Sequence, residues 1–232
     1  MPVVQISYYS DILCVWAYVA HRRIEKLVDE FGDKIEITPY FCSVFADAHG
    51  KIESQWEDKG SYAGFGKHLG EVGEKFPHVT ISDRVWRDAR PRSSASPHIF
   101  VKAIEIIERE DIAAGALPKP YLERDSTRAA WALRCAFFAQ AKDISDRLVQ
   151  RGIAEQVGVD IDRIKAKLRS SEAIAQLVID YDRSQKNHVI GSPTFIMNDG
   201  RQKLFGNVGY RLIQANVQEV LHHPSKDDAS WC

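Results

Sequence analysis

The chain has 232 residues, 44% of them hydrophobic and 27% charged, with 31 Lys and Arg against 32 Asp and Glu for a formal net charge of -1. This is enough chain to bury a core without disulfides or a metal, and the even charge gives no electrostatic reason for a nucleic-acid partner. No apolar run reaches the length of a bilayer-spanning helix, and only Met1 and Pro2 precede the first β-like run, so no membrane association is expected and the cytoplasm is the expected compartment. The four cysteines, Cys14, Cys42, Cys135 and Cys232, lie far apart with no CxxC pair. In a long cytosolic chain that pattern reads as reduced thiols, not a disulfide framework.

Val3 to Tyr9 is β-branched and aromatic, a buried-strand candidate. Ser10 or Asp11 follows as a helix cap. From about Cys14 the apolar residues Trp16, Ala20, Ile24, Leu27, Val28 and Phe31 recur at three- and four-residue steps, which predicts a helix ending at Gly32. Ile35 to Phe41 alternates as a second strand. Strand, helix, strand is a βαβ unit with parallel strands. Residues 46–90 hold six of the fourteen glycines and scattered aromatics, and read as short helices and loops. Helices are predicted from Pro97 through Ile107, from Tyr121 to about Ala141, at about 145–157 and 160–168, and from Glu172 to Lys186. The period then changes. Val189 to Met197 reads as a strand, Asn198-Asp199-Gly200 as a hairpin turn, and Gln202 to Phe205 as its partner. A last helix runs from about Tyr210 to Leu221.

The order is βαβ, then a long helical stretch, then ββα, and neither end could close a sheet alone. The expected architecture is α/β: a thioredoxin-like fold with a large all-helical insertion. Residues 1–45 and 187–223 form the thioredoxin-like domain, 46–186 the insertion and 224–232 a C-terminal tail.

Two positions carry chemistry. Cys14 stands where the first helix begins, so its sulfur would meet unpaired N–H groups and the positive end of the dipole, which favour the nucleophilic thiolate. The plain alternative is a small buried hydrophobe. In Gly191-Ser192-Pro193-Thr194-Phe195, a proline in a β-run removes a ladder donor and suggests a cis peptide in a fixed turn, against the alternative of an ordinary edge-strand proline. A cis proline there would leave the Ser192 N–H and C=O to dock an extended thiol peptide.

The run Tyr9-Ser10-Asp11-Ile12-Leu13-Cys14-Val15-Trp16-Ala17-Tyr18, with Gly191 to Phe195 about 180 residues later, resembles the DsbA-like branch of the thioredoxin superfamily. That branch includes disulfide oxidoreductases, 2-hydroxychromene-2-carboxylate isomerases and kappa-class glutathione transferases. The resemblance extends along Ile153 to Asp160 and Leu204-Phe205-Gly206. It implies Cys14 and Pro193 as catalytic residues, and Trp16, Ser192, Thr194 and Asn207 around a small thiol, a thiol peptide or glutathione. It implies glutathione as co-substrate, no metal, and homodimers among the assemblies of related proteins.

The chain departs from the disulfide-forming pattern at Ala17, where those members carry the second cysteine. A mixed disulfide on Cys14 would then be released by an external thiol such as glutathione, unless Cys42 or, less readily, Cys135 comes near. Isomerases and kappa transferases have Ser at the place of Cys14, and kappa members have Ser-Asp where this chain has Asn207-Val208. Three functions follow: a monothiol, glutathione-linked thiol-disulfide oxidoreductase with Cys14 as nucleophile; a kappa-like transferase or 2-hydroxychromene-2-carboxylate isomerase-like enzyme in which glutathione supplies the sulfur; or a redox-inactive binding module. Three other features read as solvated surface: His222-His223, Asp180-Tyr181-Asp182, and the Arg90-Pro91-Arg92-Ser93-Ser94 loop, which has an anion-contacting counterpart in the family. Cys232 reads as an exposed spectator.

Overall fold

The computed structural model describes residues 3–225, so Cys232 and nearly all of the expected tail lie outside the described residues. The chain divides into two compact units, one made of residues through Cys42 and from Asp180 onward, the other of Ser43–Ile179.

The first unit is built on a four-stranded sheet of order β2-β1-β3-β4, with β1 at Val4–Ser10, β2 at Ile35–Phe41, β3 at Thr194–Met197 and β4 at Gln202–Phe205. β1 and β2 run parallel, as the βαβ order requires, with Val4 opposite Ile35 and Ser10 opposite Phe41. β3 runs antiparallel to both β1 and β4, with Tyr9 opposite Thr194 and Thr194 opposite Phe205. The ββ half thus joins its strands to the βαβ half through β1, in one mixed sheet.

Helix α1, Val15–Phe31, buries Ala20, Ile24, Leu27 and Phe31 of the face read from the apolar spacing, together with Ala17 and Val19, while Trp16 and Val28 of that face are only half-buried. It stops at Gly32, whose φ of 50° lies in the region glycine favours and whose N–H reaches the Val28 carbonyl. Neither Ser10 nor Asp11 caps it; Cys14 itself is the N-cap residue, and its side chain makes no capping bond. The Asp11 carboxylate instead takes the Leu13 N–H at 2.9 Å, the local bond that favours Asp in turns.

The strand read from Val189 is shorter than its sequence. Pro193 has no N–H to give, Val189 N–H is taken by the Ser184 carbonyl at 2.9 Å, and regular pairing begins only at Thr194. The last helix of the unit is Tyr210–His222, whose Tyr210 and Gln214 side chains both bond Glu30 of α1.

In the second unit α2 is Ala48–Trp56, α3 Ser61–Lys75, α4 Ala95–Ala113, α5 Asp125–Arg134, α6 Arg147–Val157 and α7 Ile161–Arg169. Helix α8, Glu172–Lys186, begins in this unit and ends in the first, and the helix Tyr210–His222 is α9. The expected helix from Tyr121 to Ala141 is interrupted. A π turn at Cys135–Ala139 follows α5, and adjacent Phe137 and Phe138 are both fully buried. A regular 3.6-residue helix puts neighbouring side chains about 100° apart, and the wider turn lets both rings reach the core.

Asp180 also departs from its sequence reading. It is buried and its carboxylate accepts the Phe41 N–H at 2.8 Å, tying the end of β2 to α8. A solvated face was expected there; a buried backbone donor at the strand end needed the acceptor instead.

Candidate active site

The site grows from two chain segments that β1 and β3 bring together. At the end of β1, Ser10 to Leu13 are buried and the chain turns through Asp11 into α1. Cys14 N–H bonds the Asp11 carbonyl at 3.1 Å, and the Cys14 carbonyl accepts Ala17 N–H at 3.1 Å and Tyr18 N–H at 3.2 Å, opening the helix. Before β3, the Ser192–Pro193 peptide is cis. The Pro193 carbonyl accepts Gly206 N–H at 2.9 Å, which anchors the loop to the end of β4.

Two hydrogen bonds cross between the segments. Asp11 N–H donates to the Ser192 hydroxyl at 2.9 Å, and Cys14 Sγ donates to the Ser192 carbonyl at 3.1 Å. Cys14 and Ser192 are buried, at 5% and 6% of their surface. Cys14, Ser192 and Pro193 therefore form one cluster. The Ser192 carbonyl, expected to await a ligand, is occupied by the thiol itself; among the described residues no hydrogen bond engages the Ser192 N–H.

The other candidate residues stand around this cluster in different ways. Thr194 is fully buried, and its hydroxyl donates to the Gly191 carbonyl at 2.8 Å, so it shapes the loop. Trp16 lies half-buried on the first turn of α1, and Asn207 is exposed in the loop directly after Gly206. Gly191 sits under the Phe205 ring, where an added Cβ would come within 2.6 Å of Cε2. Ile190, just before it, is 79% exposed.

Electrostatics reverse one expectation. A helix start was expected to pull the Cys14 thiol below its ordinary range. Burial instead pushes it up, and the Asp11 charge adds to the rise; the Ser192 hydroxyl and the Ala17 and Trp16 backbone groups pull the other way and do not win. The resting form is a neutral thiol, as its donation to the Ser192 carbonyl requires.

No second sulfur stands one turn along, because Ala17 occupies that place and is itself buried. Cys14, Cys42 and Cys135 are free cysteines, none of them joined in a disulfide. Cys42 continues the ladder at the end of β2 through its N–H to the Ser10 carbonyl, at 3.1 Å. Among the described residues no group of three or more His, Cys, Asp or Glu side chains is arranged to hold a metal, and no helix is long and apolar enough to cross a membrane.

In the second unit the Arg90 guanidinium lies 4.7 Å over the Tyr62 ring, and its Nε donates to the Trp86 and Arg87 carbonyls, both at 3.1 Å. It braces an aromatic cluster in which Trp86 meets Phe65 at 5.6 Å and Phe137 edge-on at 5.0 Å. Asp11 is the residue sequence reasoning undervalued. Its sequence position suggests only a helix cap, although it lies inside the Tyr9–Tyr18 motif.

A family model described as a DSBA-like thioredoxin domain matches residues 121–218, a span that contains Pro193 but not Cys14. No curated protein matches the chain in a sequence search. Similar solved structures include a protein of Nitrosomonas europaea described as a protein disulfide isomerase, at TM-score 0.74 and 13% identity over 96% of this chain and 100% of that one. The cytosolic disulfide reductase DsbM of Pseudomonas aeruginosa follows at 0.64 and 16%, over 92% and 98%, and has also been solved with GSH. A 2-hydroxychromene-2-carboxylate isomerase follows at 0.61 and 14%, over 95% and 97%. The four-stranded mixed sheet, with the helical stretch inserted in sequence between its βαβ and ββ halves, thus has the fold of these DsbA-like thioredoxin structures, and residues 121–218 match the DSBA-like thioredoxin domain model.

Proposed function

We propose that this protein is a monothiol, glutathione-linked thiol-disulfide oxidoreductase with Cys14 as its nucleophile. The observation that carries the reading is the Cys14 sulfur at the start of α1, 3.1 Å from the Ser192 carbonyl beside cis-Pro193, with Ala17 where a resolving thiol would stand.

In this reading an extended disulfide substrate docks its backbone on Ser192 as an added strand. Docking competes for the Ser192 carbonyl and breaks the S–H···O=C bond, and the freed Cys14 thiol passes its proton to solvent. The Cys14 thiolate, now facing the α1 N–H groups, attacks one sulfur of R–S–S–R′. The bond from Cys14 Sγ to the R sulfur forms, and R′–S⁻ leaves and takes up a proton. A glutathione thiolate then attacks the R sulfur, giving the glutathione–R disulfide and returning Cys14 as a thiolate. Trp16 and Asn207 border this exchange from the helix start and the loop after β4. The test is turnover of a small glutathione mixed disulfide with reduced glutathione. The wild type is expected to accelerate it and Cys14→Ser to be inactive.

One observation favours a second reading, that of a transferase or isomerase. Cys14 is buried, neutral and already a hydrogen-bond donor. A neutral Cys14 could donate to the sulfur of bound glutathione without forming a covalent bond. Serine donates in the same way, so activity surviving in Cys14→Ser selects this reading.

A further inference from the structure

Asp11 links every part of the thiol site. Its side chain is fully buried, and its Oδ1 accepts Leu13 N–H at 2.9 Å. Its carbonyl accepts Cys14 N–H at 3.1 Å, and its own N–H donates to the Ser192 hydroxyl at 2.9 Å. Cys14 Sγ closes the circuit by donating to the Ser192 carbonyl at 3.1 Å. Asp11, Cys14 and Ser192 thus form a ring of hydrogen bonds spanning the β1–α1 turn and the cis-proline loop.

We propose that Asp11 is a positioning residue for the Cys14 sulfur: its turn bonds hold the thiol against Ser192, and its buried negative charge keeps that sulfur in the resting thiol form. The inference rests on Cys14 being the reacting sulfur. The groups acting on that sulfur are known from each side. The β1–α1 turn contributes the Asp11 charge, α1 the Trp16 and Ala17 backbone groups, and the cis-proline loop the Ser192 hydroxyl. Of these, Asp11 alone carries a charge, and a like charge near a thiolate in a water-poor site disfavours it. The geometry makes the two roles separable. The acceptor for Leu13 N–H is an oxygen that asparagine also offers, whereas the charge belongs to aspartate alone. The Ser192 hydroxyl, fixed by the Asp11 N–H, pulls the thiol's titration down and so opposes the charge.

The experiment is the rate of Cys14 carbamidomethylation by iodoacetamide against pH, read by peptide mass, with no glutathione present. Asp11→Asn keeps the turn acceptor and removes the charge. It is expected to move the alkylation midpoint down by about one pH unit, roughly tenfold more thiolate at a fixed pH below both midpoints. Asp11→Ser, also neutral and able to bond Leu13 N–H, serves if the asparagine variant fails to fold. Ser192→Ala should move the midpoint the opposite way. Thermal melts establish that each variant compared is folded. A folded neutral variant with the wild-type midpoint would overturn the proposal, because a residue with only a turn-holding role leaves the pH profile in place. The profile needs no glutathione chemistry, so it stands even if no glutathione adduct forms and the proposed function fails.

Discussion

Cys14 and Cys135 are two thiols in two units, and they show how little exposure says about chemistry. Cys135 is the more accessible. It sits where α5 passes into the π turn and lines a cleft of about 480 Å³ with Trp131, Lys142, Leu148 and Gly152. Its surroundings are helix backbone already bonded along the chain, its own carbonyl taking the Gln140 N–H at 3.2 Å. Cys14 is buried, yet it stands at a helix start, bonds the backbone beside a cis proline, and is flanked by a hydroxyl and a charge. In the proposed reading, what would separate Cys14 from Cys135 is the set of groups around its sulfur, with the Ser192 hydroxyl and the helix-start backbone favouring the ionised form against burial and the Asp11 charge.

The largest effect that could break this comparison is a substitution at each sulfur. Cys14→Ser should lower exchange of a glutathione mixed disulfide by at least about a hundredfold, as loss of a nucleophile does, while Cys135→Ser leaves the rate unchanged. Steady-state rates on both variants check this, and equal losses would erase the distinction. Next is Ala17→Cys, which restores the missing thiol one turn along α1. It should form an intramolecular disulfide with Cys14 and gain dithiol oxidation of a reduced peptide. Because Ala17 is buried, the added sulfur should cost about 1 kcal/mol in a chemical denaturation series, as overpacking does.

A third effect is in pH. Cys14 titrates above its ordinary value in the folded chain, so the unfolded chain ionises first and takes stability away as pH rises past about 8.5. Thermal melts from pH 7.5 to 10 should fall more steeply for the wild type than for Cys14→Ser. The second unit has the opposite dependence. His98 is buried on α4 and held well below its ordinary value by burial, Arg134 and Lys102. It must stay neutral to fold, so stability is lost as pH falls below about 6.5, and His98→Gln should flatten that loss. The smallest effect is Arg90→Ala, which removes the stack on Tyr62. It should cost between roughly 0.5 and 1 kcal/mol and leave Cys14 alkylation alone.

The sheet was legible because its signals are local. Alternation in Ile35–Phe41, three- and four-step spacing in α1, and Asn198-Asp199-Gly200 between two apolar runs each report a neighbour-to-neighbour pattern. The pairing of Cys14 with Pro193 came from family resemblance, since no local rule joins residues nearly 180 positions apart. What stayed hidden depended on partners supplied by the fold. Asp180 reads as surface until Phe41 N–H is seen to need an acceptor. The π turn is invisible until Phe137 and Phe138 must both be buried. The rise in the Cys14 titration follows from burial, which a helix-start argument cannot weigh.

The central claim is covalent sulfur chemistry at Cys14, and the most direct measurement is intact mass with peptide mapping after incubation with oxidised glutathione. The account predicts a single glutathione adduct per chain, mapped to Cys14, removed by reduced glutathione and absent in Cys14→Ser. A Cys14 that stays unmodified while glutathione binds without a covalent bond, or an adduct that maps to Cys135 instead, would contradict it.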